Sequence, residues 1–277
     1  MKIIRAEHLG MCFGVRDAIA LAESTAKEEP LTILGDIVHN ETVVNRLKEQ
    51  GVQIETDPAK VQTKIAMITA HGASQQAIAR ARSHGFELLE GTCPLVHHAH
   101  RAVARLIAEG YHPVIVGKRD HVEVRGLTED LGEYDIVEEA GDVQRLAPRQ
   151  KFGVASQTTQ PIDRVLYFLD LIRERFPDSE VQFADTVCQP TKQRQRAALD
   201  LAAKSDVVIV IGGRYSNNTR ELVQSCLRCC PRVHHVQQAE ELQADWFQDA
   251  KIVGITAGTS TPDYLIEAVE AAVRRFA

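Results

Sequence analysis

The chain has 277 residues, of which 44% are hydrophobic and 25% are charged, with a formal net charge of −6 at pH 7. These are ordinary values for globular domains, and the negative charge argues against a nucleic-acid-binding protein. No run approaches the roughly 18 apolar residues that a membrane span needs, and no apolar leader precedes Glu7 and His8, so we expect a cytoplasmic protein with no membrane partner.

Hydrophobic patterning predicts alternating strands and helices along the whole chain. Short apolar runs predict strands at residues 2–6, 31–35, 65–70, 86–90, 114–117, 152–156, 181–184, 208–212, 233–236 and 252–256. Apolar residues at helical spacing predict helices at residues 15–25, 42–49 and 95–108, and others that begin near Pro161, Gln193, Thr219 and Pro262. Such alternation is typical of parallel sheets covered by helices.

Three cysteines recur at the same point of this pattern. Cys12, Cys93 and Cys188 each follow a predicted strand and precede a predicted helix. Pro94 suits the first position of a helix, because the N–H group that it lacks would have no partner there. The partial positive charge at a helix N-terminus favours a thiolate.

The segments after these cysteines form an internal repeat. A glycine closes the next predicted strand at nearly the same distance from each cysteine, namely Gly35, Gly117 and Gly212. A repeat of roughly 80–95 residues is too long for a solenoid and predicts three α/β domains. We place domain 1 at residues 13–93, domain 2 at 94–184, and domain 3 at 185–277 together with 1–12.

Two histidines of the first repeat, His39 and His71, follow predicted strands directly. Ligands of parallel α/β sheets bind outside the carboxyl ends of the strands, so both are candidates for a binding site. A capped loop histidine without a ligand is the alternative for each.

The second repeat carries His121 and Glu123 two residues apart after a predicted strand. In an extended loop their side chains would point the same way. A carboxyl group beside a histidine can donate and relay a proton. A surface ion pair is the alternative.

The third repeat has glycines, hydroxyls and amides at Gly212–Thr219, where a helix is predicted to begin. Free N–H groups at a helix N-terminus suit an anion. The segment matches neither the Walker pattern nor G-x-G-x-x-G, so we expect neither ATP nor NAD. Near the chain's end, Thr261 is predicted as an N-cap and Pro262 as the first residue of the last helix.

Six cysteines without a secretion signal favour metal or redox chemistry over disulfides. One cysteine from each domain could hold an iron–sulfur cluster, which usually takes four thiolates. Three thiolates would leave one iron of a 4Fe–4S cluster open to bind a substrate. The surrounding loops offer donors in a number that fits a diphosphate better than one carboxylate: His39, His71, His121, Ser216, Asn218 and Ser260.

Two other groups could mimic a zinc site. One is His97, His98 and His100, and the other is Cys226, Cys229 and Cys230 with His234 and His235. On a helix His97 and His100 share a face that His98 does not, so we interpret the first group as a solvated helix face. The second group has no counterpart in the other repeats, and we interpret its cysteines as ordinary thiols.

With these motifs, the chain resembles the 4-hydroxy-3-methylbut-2-enyl diphosphate reductase family over essentially all 277 residues. The family has three αβα domains in a pseudo-threefold arrangement around a central iron–sulfur cluster, so the resemblance implies an α/β fold of that kind. The motifs that carry it are Gly10–Val15, Val38–Asn40, Ala70–Gly72, Thr92–Val96, Gln157–Thr159, Thr186–Cys188 with Arg194 and Gln195, and Thr256–Gly258 with Ser260.

The resemblance implies reductive removal of the substrate's hydroxyl group as water, which gives isopentenyl and dimethylallyl diphosphate in the last step of the non-mevalonate isoprenoid pathway. It implies that Cys12, Cys93 and Cys188 hold a 4Fe–4S cluster and that ferredoxin or flavodoxin supplies electrons. Glu123 would deliver a proton, with Thr158 in the relay and His121 beside it. The diphosphate would be held by His39, His71, His121, Ser216, Asn217, Asn218 and Ser260.

The chain departs from the usual family sequence at several positions, among which Met11 replaces phenylalanine, Val122 proline, Arg125 an acid and Asn217 a serine. These changes indicate a divergent branch, in which the position of the loop that carries Glu123 and the proton affinity of that residue could differ. The same cluster acting on another allylic diphosphate is therefore an alternative. A non-catalytic module that binds a phosphorylated metabolite is a second one.

Overall fold

The computed structural model describes residues 1–276, which form twelve strands and ten α-helices. The strands are β1 (Lys2–Arg5), β2 (Leu31–Leu34), β3 (Gln53–Glu55), β4 (Ile65–Ile68), β5 (Glu87–Glu90), β6 (His112–Val116), β7 (Asp135–Val137), β8 (Lys151–Ser156), β9 (Glu180–Phe183), β10 (Val207–Ile211), β11 (Val233–Val236) and β12 (Ile252–Ala257). The helices are α1 (Phe13–Glu28), α2 (Glu41–Glu49), α3 (Gln75–Ser83), α4 (Pro94–Ala108), α5 (Val122–Thr128), α6 (Ala140–Arg145), α7 (Ile162–Arg175), α8 (Gln189–Ala202), α9 (Asn217–Leu227) and α10 (Asp263–Val273).

The strands form three four-stranded sheets, and every pairing within them is parallel. Their strand orders are β3-β2-β4-β5, β7-β6-β8-β9 and β11-β10-β12-β1. The orders match position by position, and in each sheet the last strand is the one that precedes a cysteine of the repeat. The first strand of the chain completes the third sheet, where Lys2 lies beside Ile252. The predicted α/β class with three small parallel sheets is confirmed.

The central strands are buried on both faces, which explains their continuous apolar sequences. In β10, Val207, Ile209 and Ile211 pack into one hydrophobic cluster, whereas Val208 and Val210 pack into another. In β6, Val114 and Val116 face one cluster and Ile115 faces the other. This alternation places successive side chains on opposite faces of each sheet.

Helices supply the apolar residues on both sides of these two sheets. The sheet with β6 is covered by α7 through residues including Phe168 and Ile172, and on its other face by α4 through Val103 and Leu106. The sheet with β10 is covered by α10 on one face and by α8 and α9 on the other. Each of these sheets therefore lies in an α/β/α sandwich.

The described residues divide into two compact units. Unit 1 contains Met1–Arg16, Val38–Glu49 and the chain from Gln189 onward, with the sheet of β10. Unit 2 contains Asp17–Ile37 and Gln50–Cys188, with the other two sheets. The predicted domain limits at residues 13–93, 94–184 and 185–277 with 1–12 stay a prediction, and Ala277 lies outside the described residues.

No helix within residues 1–276 is both long and apolar enough to cross a membrane.

The condition considered for His121 and Glu123 is not met, and one local prediction was wrong. The segment with His121 and Glu123 is not extended, because α5 begins at Val122 and His121 is its N-cap. The last helix begins one residue later than predicted, with Pro262 as the N-cap of α10. The side chain of Thr261 does not cap that helix and instead donates a hydrogen bond to the carbonyl of Ile211.

Candidate functional site

The three repeat cysteines occupy the same backbone position. Each directly precedes a helix, α1, α4 or α8, and each N–H group donates to the carbonyl two residues past the end of a central strand. These bonds are 3.0 or 3.1 Å long and run from Cys12 to Thr259, from Cys93 to Ala70 and from Cys188 to Thr158. The repeat seen in the sequence is therefore a repeat of hydrogen bonding.

The donor set of this position fits an iron–sulfur cluster. All three thiols are partly buried, and none of the six cysteines forms a disulfide. Each thiol lies at the positive end of a helix, which stabilises an anionic ligand. No three His, Cys, Asp or Glu side chains within residues 1–276 are arranged to hold one metal ion. In a cluster, by contrast, the thiolates bind separate iron atoms.

The other cysteines differ in chemistry. Burial raises the pKa of Cys226 to about 12, and its thiol donates to the carbonyl of Ala198 at 3.7 Å. Cys230 is also buried and its thiol donates to the carbonyl of Asp206 at 3.5 Å. Zinc binds thiolates, whereas these two buried groups are thiols that donate hydrogen bonds to carbonyls. The structure therefore favours ordinary thiols at Cys226 and Cys230.

In unit 2, Glu123 and Thr158 form a buried pair. The Thr158 N–H group donates to Glu123 Oε1 at 2.6 Å, and the Thr158 hydroxyl is 3.1 Å from Oε2. Glu123 is 1% exposed, and this burial raises its pKa to about 7, although the two bonds from Thr158 act in the opposite direction. A carboxyl group that titrates near neutral pH can act as a general acid.

His121 lies beside this pair as the N-cap of α5. Its Nδ1 accepts a hydrogen bond from the N–H group of Glu123 at 3.2 Å. A neutral imidazole has one donor and one acceptor nitrogen. The proton of the neutral ring is therefore on Nε2, which can donate to an anion.

The substituted position Arg125 faces away from the buried pair. Two residues along a helix correspond to a rotation of about 200°, so Arg125 is exposed while Glu123 is buried. Arg125 lines a cavity of about 590 Å³ together with Arg80 and Tyr134. The change from an acid to Arg125 therefore does not alter the contacts of Glu123.

His71 approaches the same helix. The rings of His71 and His121 meet edge to face, with centroids 5.7 Å apart. Gly72 has φ +74°, and a Cβ atom there would lie 2.9 Å from Thr92 Cγ2. Only glycine fits this backbone, which holds the His71 loop against the turn that contains Cys93.

Unit 1 holds the remaining candidates around His39. A Cβ atom at Gly213 would lie 2.1 Å from the carbonyl oxygen of His39, so the two backbones are in close contact. Asn40 donates from Nδ2 to the carbonyl of Ser260 at 2.9 Å, and its Oδ1 caps α2. Asn40 thereby joins the loops of His39 and Ser260.

The start of α9 presents a set of buried donors. Ser216 is the N-cap, and its hydroxyl accepts from the Thr219 N–H group at 3.3 Å. Asn217 and Asn218, the first two residues of the helix, are both 2% exposed. The Asn218 Oδ1 accepts from the Thr259 N–H group at 3.0 Å.

Three side-chain groups of this set have no hydrogen-bond partner among residues 1–276, namely Asn218 Nδ2, Thr219 Oγ1 and Ser260 Oγ. Buried polar groups in native proteins are normally hydrogen-bonded. Because Asn218 also bonds Thr259, the residue before Ser260, these donors make the start of α9 a candidate for binding an anion.

The sequence interpretation missed two residues of this site. Asn40 is one, and its position after a strand and before α2 is a recognisable N-cap signal. Thr219 is the other, and its place in the first turn of α9 is the signal that identifies it.

The chain is similar to known proteins over nearly its whole length. The family described as LytB protein matches residues 3–274. A protein of Aquifex aeolicus named 4-hydroxy-3-methylbut-2-enyl diphosphate reductase is 38% identical, over 99% of this chain and 96% of its own length. One of the same name from Geobacter sulfurreducens is 36% identical, over 100% of this chain and 98% of its own.

Two solved structures are also similar to this chain. A reductase structure from Plasmodium falciparum, titled E-1-hydroxy-2-methyl-but-2-enyl-4-diphosphate reductase, superposes with a TM-score of 0.90 at 28% identity, over 96% of this chain and 86% of that one. A structure titled (E)-4-hydroxy-3-methyl-but-2-enyl diphosphate reductase, the terminal enzyme of the non-mevalonate pathway, gives a TM-score of 0.72 at 37% identity, over 99% of both chains.

Proposed function

The chain belongs to the LytB protein family, and on that premise we propose that it is a 4-hydroxy-3-methylbut-2-enyl diphosphate reductase. The reaction replaces the allylic hydroxyl group by hydrogen, consumes two electrons and two protons, and releases water. Its products are isopentenyl and dimethylallyl diphosphate. The observation that carries the proposal is the triply repeated cysteine position, which suits a cluster that can supply the electrons.

A 4Fe–4S cluster would be held by Cys12, Cys93 and Cys188. When bound, such a cluster supplies electrons and an electrophilic iron with an open position. Each cysteine's N–H group is already engaged by a loop carbonyl, so the thiolate is presented from a fixed backbone. Ferredoxin or flavodoxin is the proposed source of the electrons.

Glu123 is the proposed proton donor. Its Oε1 accepts from the fixed N–H group of Thr158, so the proton of the neutral carboxyl group belongs on Oε2, next to the Thr158 hydroxyl. The hydroxyl can then pass a proton on and receive one from the carboxyl group. Thr158 is therefore the proposed relay, and His121 Nε2 is the adjacent donor to the substrate.

The diphosphate would be bound by side chains with N–H or O–H groups. In unit 1 these are His39, Ser216, Asn217, Asn218 and Ser260, and in unit 2 they are His71 and His121. Hydrogen bonds to an ionised acceptor are roughly twice as strong as those between neutral groups. The unsatisfied buried donors of Asn218 and Ser260 support this assignment.

The test is anaerobic turnover. Protein with a reconstituted cluster would be mixed with 4-hydroxy-3-methylbut-2-enyl diphosphate, dithionite and a viologen mediator, and the products separated. We expect both isopentenyl and dimethylallyl diphosphate. A fully loaded protein that leaves this substrate unchanged would overturn the proposal and direct the search to other allylic diphosphates.

A further inference from the structure

The C-terminal end of α5 is fastened to the N-terminal end of α3, both within unit 2. Asp130, two residues beyond α5, accepts two backbone hydrogen bonds through its carboxylate. The Gln75 N–H group donates to Oδ2 at 2.6 Å, and the Gln76 N–H group donates to Oδ1 at 3.0 Å. The carboxylate of Asp130 thus accepts hydrogen bonds from the first two N–H groups of α3.

Glu129 adds a second set of bonds at the same place. Its carboxylate accepts from the hydroxyl of Ser74, which is the N-cap of α3, and from Arg80 at 2.6 Å. Its backbone carbonyl accepts from the Gln76 side chain at 3.1 Å. Asp130 and Glu129 together form a clamp on the N-terminus of α3.

The hydrogen bonds made by the first backbone N–H groups of α3 show how specific the clamp is. A helix leaves its first N–H groups without partners inside the helix. In α3, Asp130 takes those of Gln75 and Gln76, and Ser74 takes that of Ala77 at 3.0 Å. Negative charge at this end also complements the helix dipole. The start of α3 is therefore anchored by residues that belong to α5's flank.

The two clamped segments also carry the candidate groups. His71 lies a few residues before α3, and His121 and Glu123 lie at the start of α5. Between clamp and rings the two segments stay in contact, because a Cβ atom at Gly126 would lie 3.6 Å from Ala73 Cα. At the far end the His71 and His121 rings meet at 5.7 Å.

We infer that Asp130 and Glu129 are positioning residues that fix the His71 loop against α5, so that His71 and His121 bind one diphosphate while Glu123 lies beside it. The inference rests on the proposed function. Both carboxylates contact α3 and its N-cap, so in this role they act through the backbone and not on the substrate. The clamp holds two donors in register, and small misplacements of such groups are costly in rate.

The test uses the full-length, cluster-loaded protein and the variant Asp130→Asn. An amide retains one acceptor oxygen but places an NH₂ group against the second N–H group, so the paired bonds are lost. Glu133→Gln is the matched control, because Glu133 is an exposed carboxylate three residues away that pairs only with Arg149 among the described residues. We expect kcat/KM to fall by roughly ten- to a hundredfold in Asp130→Asn and to stay unchanged in the control.

Two readouts separate positioning from loss of fold. The affinity for inorganic pyrophosphate, measured by calorimetry, should weaken by roughly tenfold, while iron content and melting temperature stay near the wild type. The ¹⁵N signals of the His71 and His121 rings should move in Asp130→Asn and not in Glu133→Gln. If Asp130→Asn is unstable, Glu129→Gln replaces it, since an amide oxygen cannot serve Ser74 and Arg80 as a carboxylate does.

Unchanged pyrophosphate affinity and unchanged histidine signals in the clamp variants would overturn the inference. Absence of turnover in the wild type would instead contradict the proposed function. Pyrophosphate binding and the histidine spectra need no turnover, so they still decide the role of the clamp in that case.

Discussion

Thr158 contacts both carboxyl oxygens of Glu123, one through its backbone N–H group and the other through its hydroxyl. The N–H bond cannot reverse, because the backbone nitrogen can only donate. The hydroxyl bond can reverse, because a hydroxyl both donates and accepts. The pair can therefore hold the proton on one defined oxygen, Oε2, and exchange it through the Thr158 hydroxyl.

The first prediction concerns pH. Burial raises the pKa of Glu123 from 4.5 to about 7, so the protonated, donating form is lost as the pH rises through about 7. We expect kcat to decrease above this pH by about tenfold per pH unit, as for a single ionisation. The measurement is kcat from pH 6 to 9 with iron content checked at each point. A flat profile would move proton donation to another group.

The same shift has a stability consequence. Between pH 4.5 and about 7 the folded protein holds a proton on Glu123 that the unfolded chain has lost, so rising pH lowers the free energy of unfolding in this window. Glu123→Gln cannot ionise, so its free energy of unfolding should not show this decrease. Relative to the wild type it should rise by roughly 3 kcal/mol across the window, since one pKa unit corresponds to about 1.4 kcal/mol. Denaturant unfolding at both pH values measures this, with the exposed Glu87→Gln as control. The Gln variant should also keep its iron but lose turnover.

The second prediction separates the two bonds of Thr158. Thr158→Val removes the hydroxyl and keeps the backbone N–H bond, whereas Thr158→Ser keeps both. We expect kcat to fall by roughly a hundredfold in the valine variant, which is the order of a lost general acid–base contribution, and to stay near the wild type in the serine variant. Full kcat in Thr158→Val would exclude the hydroxyl from the relay.

The third prediction concerns the cysteines. Cys12→Ser, Cys93→Ser and Cys188→Ser should each lose the cluster, seen as loss of bound iron and of the broad visible absorption of thiolate-bound iron. Cys226→Ser is the control and should keep both, because its buried thiol donates to a carbonyl in a hydrophobic cluster. Wild-type iron content in Cys93→Ser would remove that residue from the ligand set.

The cysteine repeat and the sheet class could be predicted because both depend on local patterns. Parallel strands buried on both faces read as apolar runs, and a cysteine between strand and helix is visible in the sequence. β3 and β7 were missed because each has only three residues, too few for a periodic signal. The helix α5 was missed because its seven residues are mostly buried and show no amphipathic stripe.

The polar contacts of the site could not be predicted from local sequence patterns. The bond from Asn40 to Ser260 joins residues 220 positions apart, and that from Thr158 to Glu123 joins residues 35 apart. Such pairs depend on how strands order within a sheet, which residue types alone do not specify. The sequence did place Glu123 and Thr158 in candidate loops, but the raised pKa follows from burial that only the fold provides.

The fourth prediction concerns the unsatisfied donors of α9. Asn218→Asp keeps an oxygen to accept from Thr259 but replaces the buried Nδ2 donor with negative charge. We expect the dissociation constant for inorganic pyrophosphate to rise by at least roughly tenfold, since a hydrogen bond to a charged group contributes about 1.5–3 kcal/mol. Calorimetry measures it. The exposed Asn45→Asp on α2 adds the same charge and should have little effect; equal losses in both variants would mean a non-specific charge effect.

The last prediction addresses the two substitutions in α5. Val122 is the first helical residue, where proline loses no intrahelical hydrogen bond. Arg125 is exposed and faces away from Glu123, and it is not among the groups that shift the pKa of Glu123. The double variant Val122→Pro/Arg125→Glu should therefore keep kcat and the pH at which it declines. A negative charge that did reach Glu123 would raise its pKa and move the decline to higher pH. Such a shift would show that the substituted helix does tune the proton donor, and that the divergence of this chain concerns its chemistry and not only its surface.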